Sequence, residues 1–186
     1  MINYRFLENL ADKDIIDLFK KDADQAIGII FQKYYSFLCG VVYRVLNDES
    51  QVEDIVQEVF MELWKKHEGL VIETSLKAYL KRAAINKTLN FIRSKKMVFQ
   101  NDKDLDPLPA NEASITAHMA AEELDALIQK VIDELPQRCR IVFALSRFEN
   151  MSYKEIALKL DISVKTVENQ ISKALKILRE SLKDYL

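Results

Sequence analysis

The sequence predicts an all-α protein made of two small helical domains joined by an acidic linker. With only 3 glycines and 3 prolines in 186 residues, the chain lacks the turn residues that a multi-stranded sheet requires. Apolar residues recur instead at three- and four-residue steps, as in amphipathic helices. Charge is segregated as well, because residues 1–96 carry a net charge of +1, residues 97–136 of −7 and residues 137–186 of +4. We therefore expect one domain at 1–96 and a second at 118–186.

Residues 97–117 have the composition of a flexible linker. Within them, the segment QNDKDLDPLPANEAS at 100–114 carries two prolines, several acidic residues and little apolar material. Such a segment cannot bury enough apolar surface to offset the conformational entropy lost on ordering. We expect it to join the two domains without a core of its own.

Composition also argues against several classes of protein. No basic leader precedes an apolar run, and no stretch approaches 18 consecutive apolar residues, so we expect a cytoplasmic protein. Cys39 and Cys139 are isolated thiols with apolar neighbours, which favours buried, reduced cysteine over a disulfide or a metal ligand. His67 and His118 likewise have no partners at a metal-binding or catalytic spacing. Without a glycine-rich phosphate loop or clustered carboxylates, we expect no enzyme, no cofactor and no metal site.

The N-terminal domain is expected to contain four helices. Residues 11–20 carry Ile15, Ile16 and Phe19 at helical spacing, and residues 23–46 continue the pattern in a longer helix. The apolar positions of this second helix are Ile27, Phe31, Tyr34, Tyr35, Leu38, Val42 and Leu46. Both segments are amphipathic, which predicts two helices packed on a shared core.

The third helix is expected after a turn at residues 47–49, where Ser50 and Glu53 have the spacing of a capping box. Its inward positions are Val52, Ile55, Val56, Val59, Phe60 and Leu63. Its outward positions, which mix acidic and amide groups, are Asp54, Gln57, Glu58, Met61 and Lys65. From the pattern alone, an ordinary solvated surface explains this outward face as well as a binding surface does.

The fourth helix, SLKAYLKRAAINKTLNFIRSKK at 75–96, contains seven cations and no acidic residue. The cations are Lys77, Lys81, Arg82, Lys87, Arg93, Lys95 and Lys96. Asn86 and Asn90 lie among them, and amide groups beside cations suit contact with unpaired bases and phosphates. The alternative is a structural helix, and we expect a core face formed mostly by Tyr79, Leu80, Ala83, Ala84, Leu89 and Phe91. The cations and at least one asparagine would then remain outside.

Residues 152–182 predict two helices joined by a tight turn. Ser152 and Glu155 have capping-box spacing for a short helix that starts at Tyr153. Asp161 and Ile162 form the turn. Ser163 can cap a longer helix whose apolar stripe is expected to be Val164, Val167, Ile171, Leu175, Leu178 and Leu182. A short helix, a fixed turn and a long second helix together favour a DNA-binding helix-turn-helix over a plain bundle helix.

The second of these helices presents polar side chains opposite its apolar stripe. The outer positions are Lys165, Asn169, Lys173 and Lys176, flanked by Glu168 and Ser172. Amide, hydroxyl and carboxylate groups can reach base edges, whereas long lysine side chains suit phosphates. This face is therefore the candidate surface for reading duplex DNA.

In their order along the chain, these motifs resemble those of an extracytoplasmic-function (ECF) sigma factor of bacterial RNA polymerase. The likeness includes DIVQEVFMELW at 54–64, the basic helix at 75–96, the acidic segment, and LPQRCRIVFALSRFENMSYKEIALKLDISVKTVENQISKALKILRESL at 135–182. Such proteins keep a domain for the promoter −10 element, region 2, and one for the −35 element, region 4. The resemblance implies partners: the β′ clamp helices and the β subunit of core RNA polymerase, promoter DNA and an anti-sigma factor.

The resemblance also implies roles for particular residues in the N-terminal domain. Asp54, Gln57 and Glu58 match positions that contact the β′ clamp helices. Asn86 matches a position that lines a pocket for a base flipped from the −10 strand. The resemblance places the neighbouring polar contacts to that strand at Lys81, Arg82, Lys87, Asn90 and Arg93. Glu62, Trp64 and the loop at 68–74 are expected to help shape this pocket.

In the C-terminal domain, the resemblance implies a set of −35 contacts on the second helix of the helix-turn-helix. These residues are Lys165, Thr166, Glu168, Asn169, Ser172, Lys173 and Lys176. Several relatives carry an arginine where this chain has Glu168, and a carboxylate there can accept from cytosine N4 but repels phosphate. We therefore expect a −35 sequence that differs from that of those relatives.

Two other classes of function remain open. The helix-turn-helix also resembles that of LuxR-type regulators, which bind duplex operators as dimers without polymerase. That alternative needs a receiver or ligand domain of alternating strands and helices, and residues 1–96 show no such pattern. An enzyme acting on nucleic acid would need the catalytic groups that we do not find. The expected function is thus a dissociable initiation subunit that gives core polymerase its promoter specificity.

Overall fold

A computed structural model describes residues 10–67, 70, 72, 75–95, 121–183 and 185. By its internal contacts the chain divides into two compact units, Met1–Asn90 and Phe91–Leu186. The described residues contain eight α-helices and no β-strand. The prediction of an all-α fold is therefore confirmed. The acidic segment predicted to be the linker, 97–117, lies outside the described residues, as does His118.

Four helices fall mainly in the first unit: α1 (Asp12–Lys21), α2 (Ala23–Leu46), α3 (Glu49–Lys65) and α4 (Leu76–Ser94). Helix α2 packs against both α1 and α3. The division between the two units falls within the last turns of α4.

Helix α2 forms the centre of the first unit. By length and mean hydropathy it could cross a membrane, a property that it shares with core helices of water-soluble proteins. Its apolar residues are interrupted by polar ones, so the sequence contains no long apolar run at this helix. Nine residues of α2 are buried within the unit: Ala26, Ile29, Ile30, Tyr34, Leu38, Val41, Val42, Val45 and Leu46. This burial accounts for the apolar composition of the helix through packing.

The N-terminal cap of α3 differs from the prediction, and the cap of α2 was not predicted. Helix α3 is capped by Asp48, whose carboxylate accepts from the backbone N–H of Gln51 at 3.1 Å. The predicted capping box of Ser50 and Glu53 is therefore wrong, because the helix has already begun at Glu49. Asp22 caps α2 in the same way through Gln25. Aspartate serves in both places because its carboxylate accepts from an N–H that has no partner within the helix.

Helix α4 is rotated slightly from the predicted orientation. Leu80, Ala84 and Leu89 are buried as expected, but Tyr79, Ala83 and Phe91 are only half-buried. The core positions also include Leu76, Ile85, Thr88 and Ile92. The buried hydroxyl of Thr88 donates to the carbonyl of Ala84 at 2.8 Å, which satisfies a polar group at an apolar face. The prediction had favoured aromatic residues for the core over Ile85 and Ile92.

The described helices of the second unit are α5 (Ala121–Asp133), α6 (Gln137–Arg147), α7 (Tyr153–Leu160) and α8 (Val164–Ser181). Helix α8 packs against α5, α6 and α7. Helix α6 buries seven successive residues from Cys139 to Leu145. The thiol of Cys139 donates to Oε1 of Gln170 on α8 at 3.1 Å. It is a buried free cysteine, as predicted, whereas Cys39 is free and half-buried.

Helices α7 and α8 form the expected helix-turn-helix. Ser152 and Glu155 form the predicted capping box, and Ser163 caps α8 by accepting from the backbone N–H of Thr166. Asp161 ends α7 with a left-handed backbone, φ 57°. The N–H of Ile162 then donates to the carbonyl of Ala157. This pattern is the usual end of a helix before a tight turn.

The buried stripe of α8 differs from the prediction at four positions. Val164 and Leu175 are exposed, at 38% and 39% of their surface. Ala174 and Ile177 are buried in addition to the four predicted residues. Ala174 lies above Val167 and Ile171 on a helix of 3.6 residues per turn, whereas Leu175 is rotated about 100° further round.

Candidate nucleic-acid interface

The outer face of α3 carries the polar residues that the sequence singled out. Asp54, Gln57 and Glu58 are all exposed, and the six predicted inward residues of this helix are buried. Met61 and Trp64 extend the same surface, with 55% and 44% of their areas exposed. A face that combines acid, amide and large apolar groups can supply both hydrogen bonds and apolar contact to a protein partner.

An aromatic cluster joins α2 to α3 near this face. The ring of Phe31 stacks on Tyr35 at 4.6 Å between centroids and lies 5.0 Å from the ring of Phe60. Phe31 nevertheless remains 41% exposed. The sequence analysis had placed Phe31 in the core stripe of α2, because its helical spacing is that of a buried residue.

Trp64 is held by contacts that the sequence did not reveal. Its indole N–H donates to the Asp24 carboxylate of α2 at 2.9 Å. The ring of His67 stacks with Trp64, and Nδ1 of His67 lies 2.7 Å from the Trp64 carbonyl oxygen. These packing contacts, which the sequence did not reveal, leave the expectation that His67 has no metal-binding or catalytic partner unaffected. Only parts of the loop at 68–74 are described, so its predicted role stays a prediction.

Helix α4 presents its predicted contact residues to solvent. Arg82, Asn86, Asn90 and Arg93 are exposed, and Lys81 is half-exposed. Two further cations lie over aromatic rings: Lys77 is 4.6 Å from the centroid of Phe37, and Lys95 is 4.6 Å from that of Phe91. The exposure of Asn86 is what contact with an unpaired base requires.

Lys87 differs from the other predicted phosphate contacts because it pairs with α3. Its ammonium lies 2.7 Å from the Glu58 carboxylate and 2.7 Å from that of Glu62. Hydrogen bonds to Glu58 and Glu62 raise the pKa of Lys87, and the bond from Lys87 lowers the pKa of Glu62. The structure therefore joins a residue predicted to bind polymerase, Glu58, to one predicted to bind DNA.

The start of α4 is fixed by Asp12, which the sequence analysis did not identify. The Asp12 carboxylate accepts from the backbone N–H of Leu76 at 3.0 Å, from the hydroxyl of Tyr34 and from the ammonium of Lys33. Burial by itself would raise the pKa of Asp12, but these hydrogen bonds hold it below its ordinary value. Burial and the bond to Asp12 raise the pKa of Tyr34. One carboxylate thus ties α1, α2 and α4 together.

The outer face of α8 also matches the prediction in its exposure. Lys165, Asn169, Ser172 and Lys176 are exposed, and Glu168 and Lys173 are half-exposed. Lys165 pairs with Glu168 at 3.1 Å, and Lys176 lies 3.8 Å from Glu180.

Thr166, another predicted −35 residue, contributes to the cap of α8. Its hydroxyl lies 2.9 Å from that of Ser163, and its N–H donates to the same oxygen.

In the part of the chain that the structure describes, no group of three or more His, Cys, Asp or Glu residues could hold a metal ion. The outer faces of α4 and α8 instead offer hydrogen bonds and charge to a ligand.

The first unit therefore carries exposed polar faces on α3 and α4, and the second unit carries one on α8. Comparison with known proteins assigns a family to each unit. The profile "Sigma-70 region 2" matches residues 30–97, and the profile "Sigma-70, region 4" matches residues 125–178. The first match contains α3, α4 and most of α2. The second contains α6, α7 and α8 as far as residue 178.

Relatives of similar length agree with these matches. The chain is 29% identical to the ECF RNA polymerase sigma factor SigW of Bacillus subtilis, over 96% of this chain and 100% of SigW. It is 25% identical to the ECF RNA polymerase sigma-E factor of Escherichia coli, over 90% of this chain and 92% of that protein. It is 22% identical to the RNA polymerase sigma-H factor of Pseudomonas aeruginosa, over 94% and 95% of the two chains.

Solved structures that resemble this chain include CnrH in complex with the cytosolic domain of CnrY. That match has 22% identity and a TM-score of 0.48, and it covers 94% of this chain and 98% of CnrH. Another is the sigma factor RpoE of Bartonella quintana in complex with the anti-sigma factor NepR. That match has 21% identity and a TM-score of 0.46, and it covers 82% and 94% of the two chains.

A fold of two helical units, matched by the profiles of both sigma regions, defines a transcription-initiation subunit. The chain belongs to the sigma-70 family of bacterial RNA polymerase sigma factors, in its extracytoplasmic-function group. It directs promoter-specific initiation, as the sequence analysis predicted. The comparisons give no support to the LuxR-type alternative.

Proposed function

We propose that this sigma factor binds core RNA polymerase through the outer face of α3. Asp54, Gln57 and Glu58 would contact the β′ clamp helices, and the β subunit would provide further contacts. The observation that carries the proposal is that these three side chains are exposed on a helix whose opposite face is fully buried. None of the three is part of the apolar core. Although Glu58 pairs with Lys87, all three side chains can contact a partner from solvent.

The basic face of α4 would then contact the −10 element. We assign Asn86 to an unpaired base, because it is exposed among the cations of this helix. Lys81, Arg82, Asn90 and Arg93 would contact the strand around it. The attachment of α4 to Asp12 and to α3 supports this assignment, because a rigid helix holds base-reading groups in fixed positions.

The outer face of α8 would contact the −35 element in the major groove. The polar residues on this face are Lys165, Thr166, Glu168, Asn169, Ser172, Lys173 and Lys176. The ion pair between Lys165 and Glu168 supports a base-directed role for Glu168, because the neighbouring lysine offsets repulsion between a carboxylate and phosphate.

The domain boundaries and the cellular setting are part of the same proposal. Residues 1–96 would form the polymerase and −10 domain, 97–117 the acidic linker and 118–186 the −35 domain. The protein would act in the cytoplasm, where core polymerase is found. The family resemblance further suggests an anti-sigma factor as a regulatory partner.

Replacing both Gln57 and Glu58 with alanine tests the polymerase surface. Gln57 faces solvent, and the exposed ion pair between Glu58 and Lys87 contributes little to stability, so helicity and thermal unfolding should change little. Affinity for core polymerase should fall by about 1 kcal/mol or more, as expected for central polar contacts. A competition assay against the wild type measures this loss.

The matched control removes one exposed amide and one exposed acid elsewhere in the same unit. Gln25→Ala with Asp17→Ala serves this purpose, because both side chains are exposed on α2 and α1. This control should retain wild-type affinity for core polymerase. Equal affinities of the control and the Gln57/Glu58 variant for core polymerase would show that the α3 face is not the polymerase surface.

A further inference from the structure

Lys87 lies where the basic helix α4 meets the acidic side of α3. Its ammonium contacts the carboxylates of both Glu58 and Glu62 at 2.7 Å. We call these three residues the Lys87 trio. One cation and two carboxylates leave one net negative charge at this point, although Lys87 belongs to a helix without acidic residues.

The two carboxylates of the trio are more exposed to solvent than its ammonium. Only 22% of the Lys87 side chain is exposed, against 61% for Glu58 and 51% for Glu62. The carboxylates therefore form the outer part of the trio. A phosphate that approaches the ammonium of Lys87 also approaches two negative groups.

The hydrogen bonds of the trio limit what Lys87 can offer to a strand of nucleic acid. An ammonium has three N–H donors, and the two carboxylates each accept from it. At most one donor is left for a phosphate, which the two carboxylates repel within a Debye length. Lys87 is thus a poorer phosphate ligand than the exposed Arg82 on the same helix.

Glu62 differs from Glu58 in its position on α3. Glu58 lies on the face that we assign to polymerase, whereas Glu62 lies one turn later, and its described contact is with Lys87. The two acids are four residues apart on one helix and repel each other. Lys87 relieves this repulsion, which explains why all three side chains converge.

We propose that Glu62 limits the affinity of α4 for single-stranded nucleic acid, by holding Lys87 and by repelling phosphate. The inference rests on the proposed function, because it takes the basic face of α4 as the surface for the −10 strand. Lys87 is then a positioning residue that fixes α4 to α3. The other polar residues of α4 provide the contacts with the strand.

Binding of the full-length chain to a fluorescently labelled oligothymidylate tests this inference. Anisotropy titrations at several low salt concentrations give both the affinity and its salt dependence. Glu62→Gln should tighten binding about two- to fivefold, the range set by one partly exposed ion pair. The gain should be smaller in a chain that also carries Lys87→Met, because the ammonium whose donor Glu62 occupies is then absent.

Three further variants separate this effect from net charge and from phosphate contact. Glu53→Gln removes the same charge from the other side of α3, where Glu53 lines a groove with Tyr35 and Cys39, and should change affinity little. Lys87→Met should keep the wild-type salt slope, whereas Arg82→Met should reduce the slope by about 0.7. Lys87→Arg keeps the cation and should behave as the wild type, with circular dichroism confirming that each variant is folded.

Several results would overturn the inference. Equal gains in affinity for Glu62→Gln and Glu53→Gln would show that the effect comes from net charge alone. A slope change for Lys87→Met as large as that for Arg82→Met would make Lys87 a phosphate ligand. No binding by the wild type or by Glu62→Gln at the lowest salt would show that α4 has no such surface. Core-polymerase binding of the wild type, measured separately, distinguishes each of these results from failure of the proposed function.

Discussion

Among single residues, Asn169 and Lys176 share the outer face of α8 but differ in what their side chains can read. The short amide of Asn169 can donate and accept in a fixed geometry, which suits contact with a base edge. The long side chain of Lys176 is 68% exposed and its ammonium lies 3.8 Å from Glu180, so it can move to reach a phosphate. The first residue should therefore contribute specificity and the second general affinity.

Two substitutions on α8 test this division of roles. Asn169→Ala should relax the preference at one −35 position at a cost of about 1–3 kcal/mol. Lys176→Ala should weaken binding to all promoters about equally and reduce the salt slope by about 0.9. Holoenzyme binding to a panel of single-base −35 variants at several salt concentrations measures both effects. A base-specific loss for Lys176→Ala, or a uniform loss for Asn169→Ala, would contradict the assignment.

Asp12 shows how one residue can fix the position of a binding helix without touching a ligand. It joins the backbone N–H of Leu76 at the start of α4 to Tyr34 on α2. Its lowered pKa means that the folded protein favours the charged carboxylate. The resulting stabilisation is present above the unfolded pKa and is lost as pH falls through the lower, folded value.

Asp12→Ala should therefore reduce the free energy of unfolding by about 1–3 kcal/mol at pH 7, as expected for hydrogen bonds to a charged group. The difference from the wild type should shrink as pH falls below 3.8, the ordinary value for this carboxyl. Urea unfolding across a pH series measures it. Asp14→Ala, an exposed change on the same helix, is the control and should cost much less. Equal losses for the two variants would show that the Asp12 contacts are not stabilising.

At the scale of helices, local patterns predicted the structure best where the interacting residues are close in sequence. The capping box of Ser152 and Glu155 and the cap at Ser163 were both predicted, because each depends on residues three apart. The six buried residues of α3 were predicted from their spacing alone. Such features need no knowledge of the neighbouring helices.

Predictions failed where two local solutions compete or where partners are distant in sequence. Asp48 and Ser50 can both cap a helix, and the choice depends on where the preceding turn ends. The contacts of Lys87 with Glu58, of Trp64 with Asp24 and of Leu76 with Asp12 span 29, 40 and 64 residues. A single sequence gives no spacing rule for contacts of this kind, so their partners emerge only from the fold.

At the scale of the whole molecule, the protein has little net attraction for DNA. Its net charge is −2 and its pI is about 5.8, because 29 acidic residues outnumber 27 basic ones. We therefore expect the free protein to bind duplex promoter DNA poorly. Core polymerase would hold the two domains at the spacing of their elements, so that binding of one raises the effective concentration of the other.

Mapping transcription start sites on a pool of genomic fragments tests the central claim most directly. The reactions contain core polymerase alone, the protein alone, or both together. Discrete start sites, preceded by shared −10 and −35 sequences, are expected only when core polymerase and the protein are both present. Start sites that match those of core polymerase alone would contradict the central claim, as would tight operator-specific binding by the protein without polymerase.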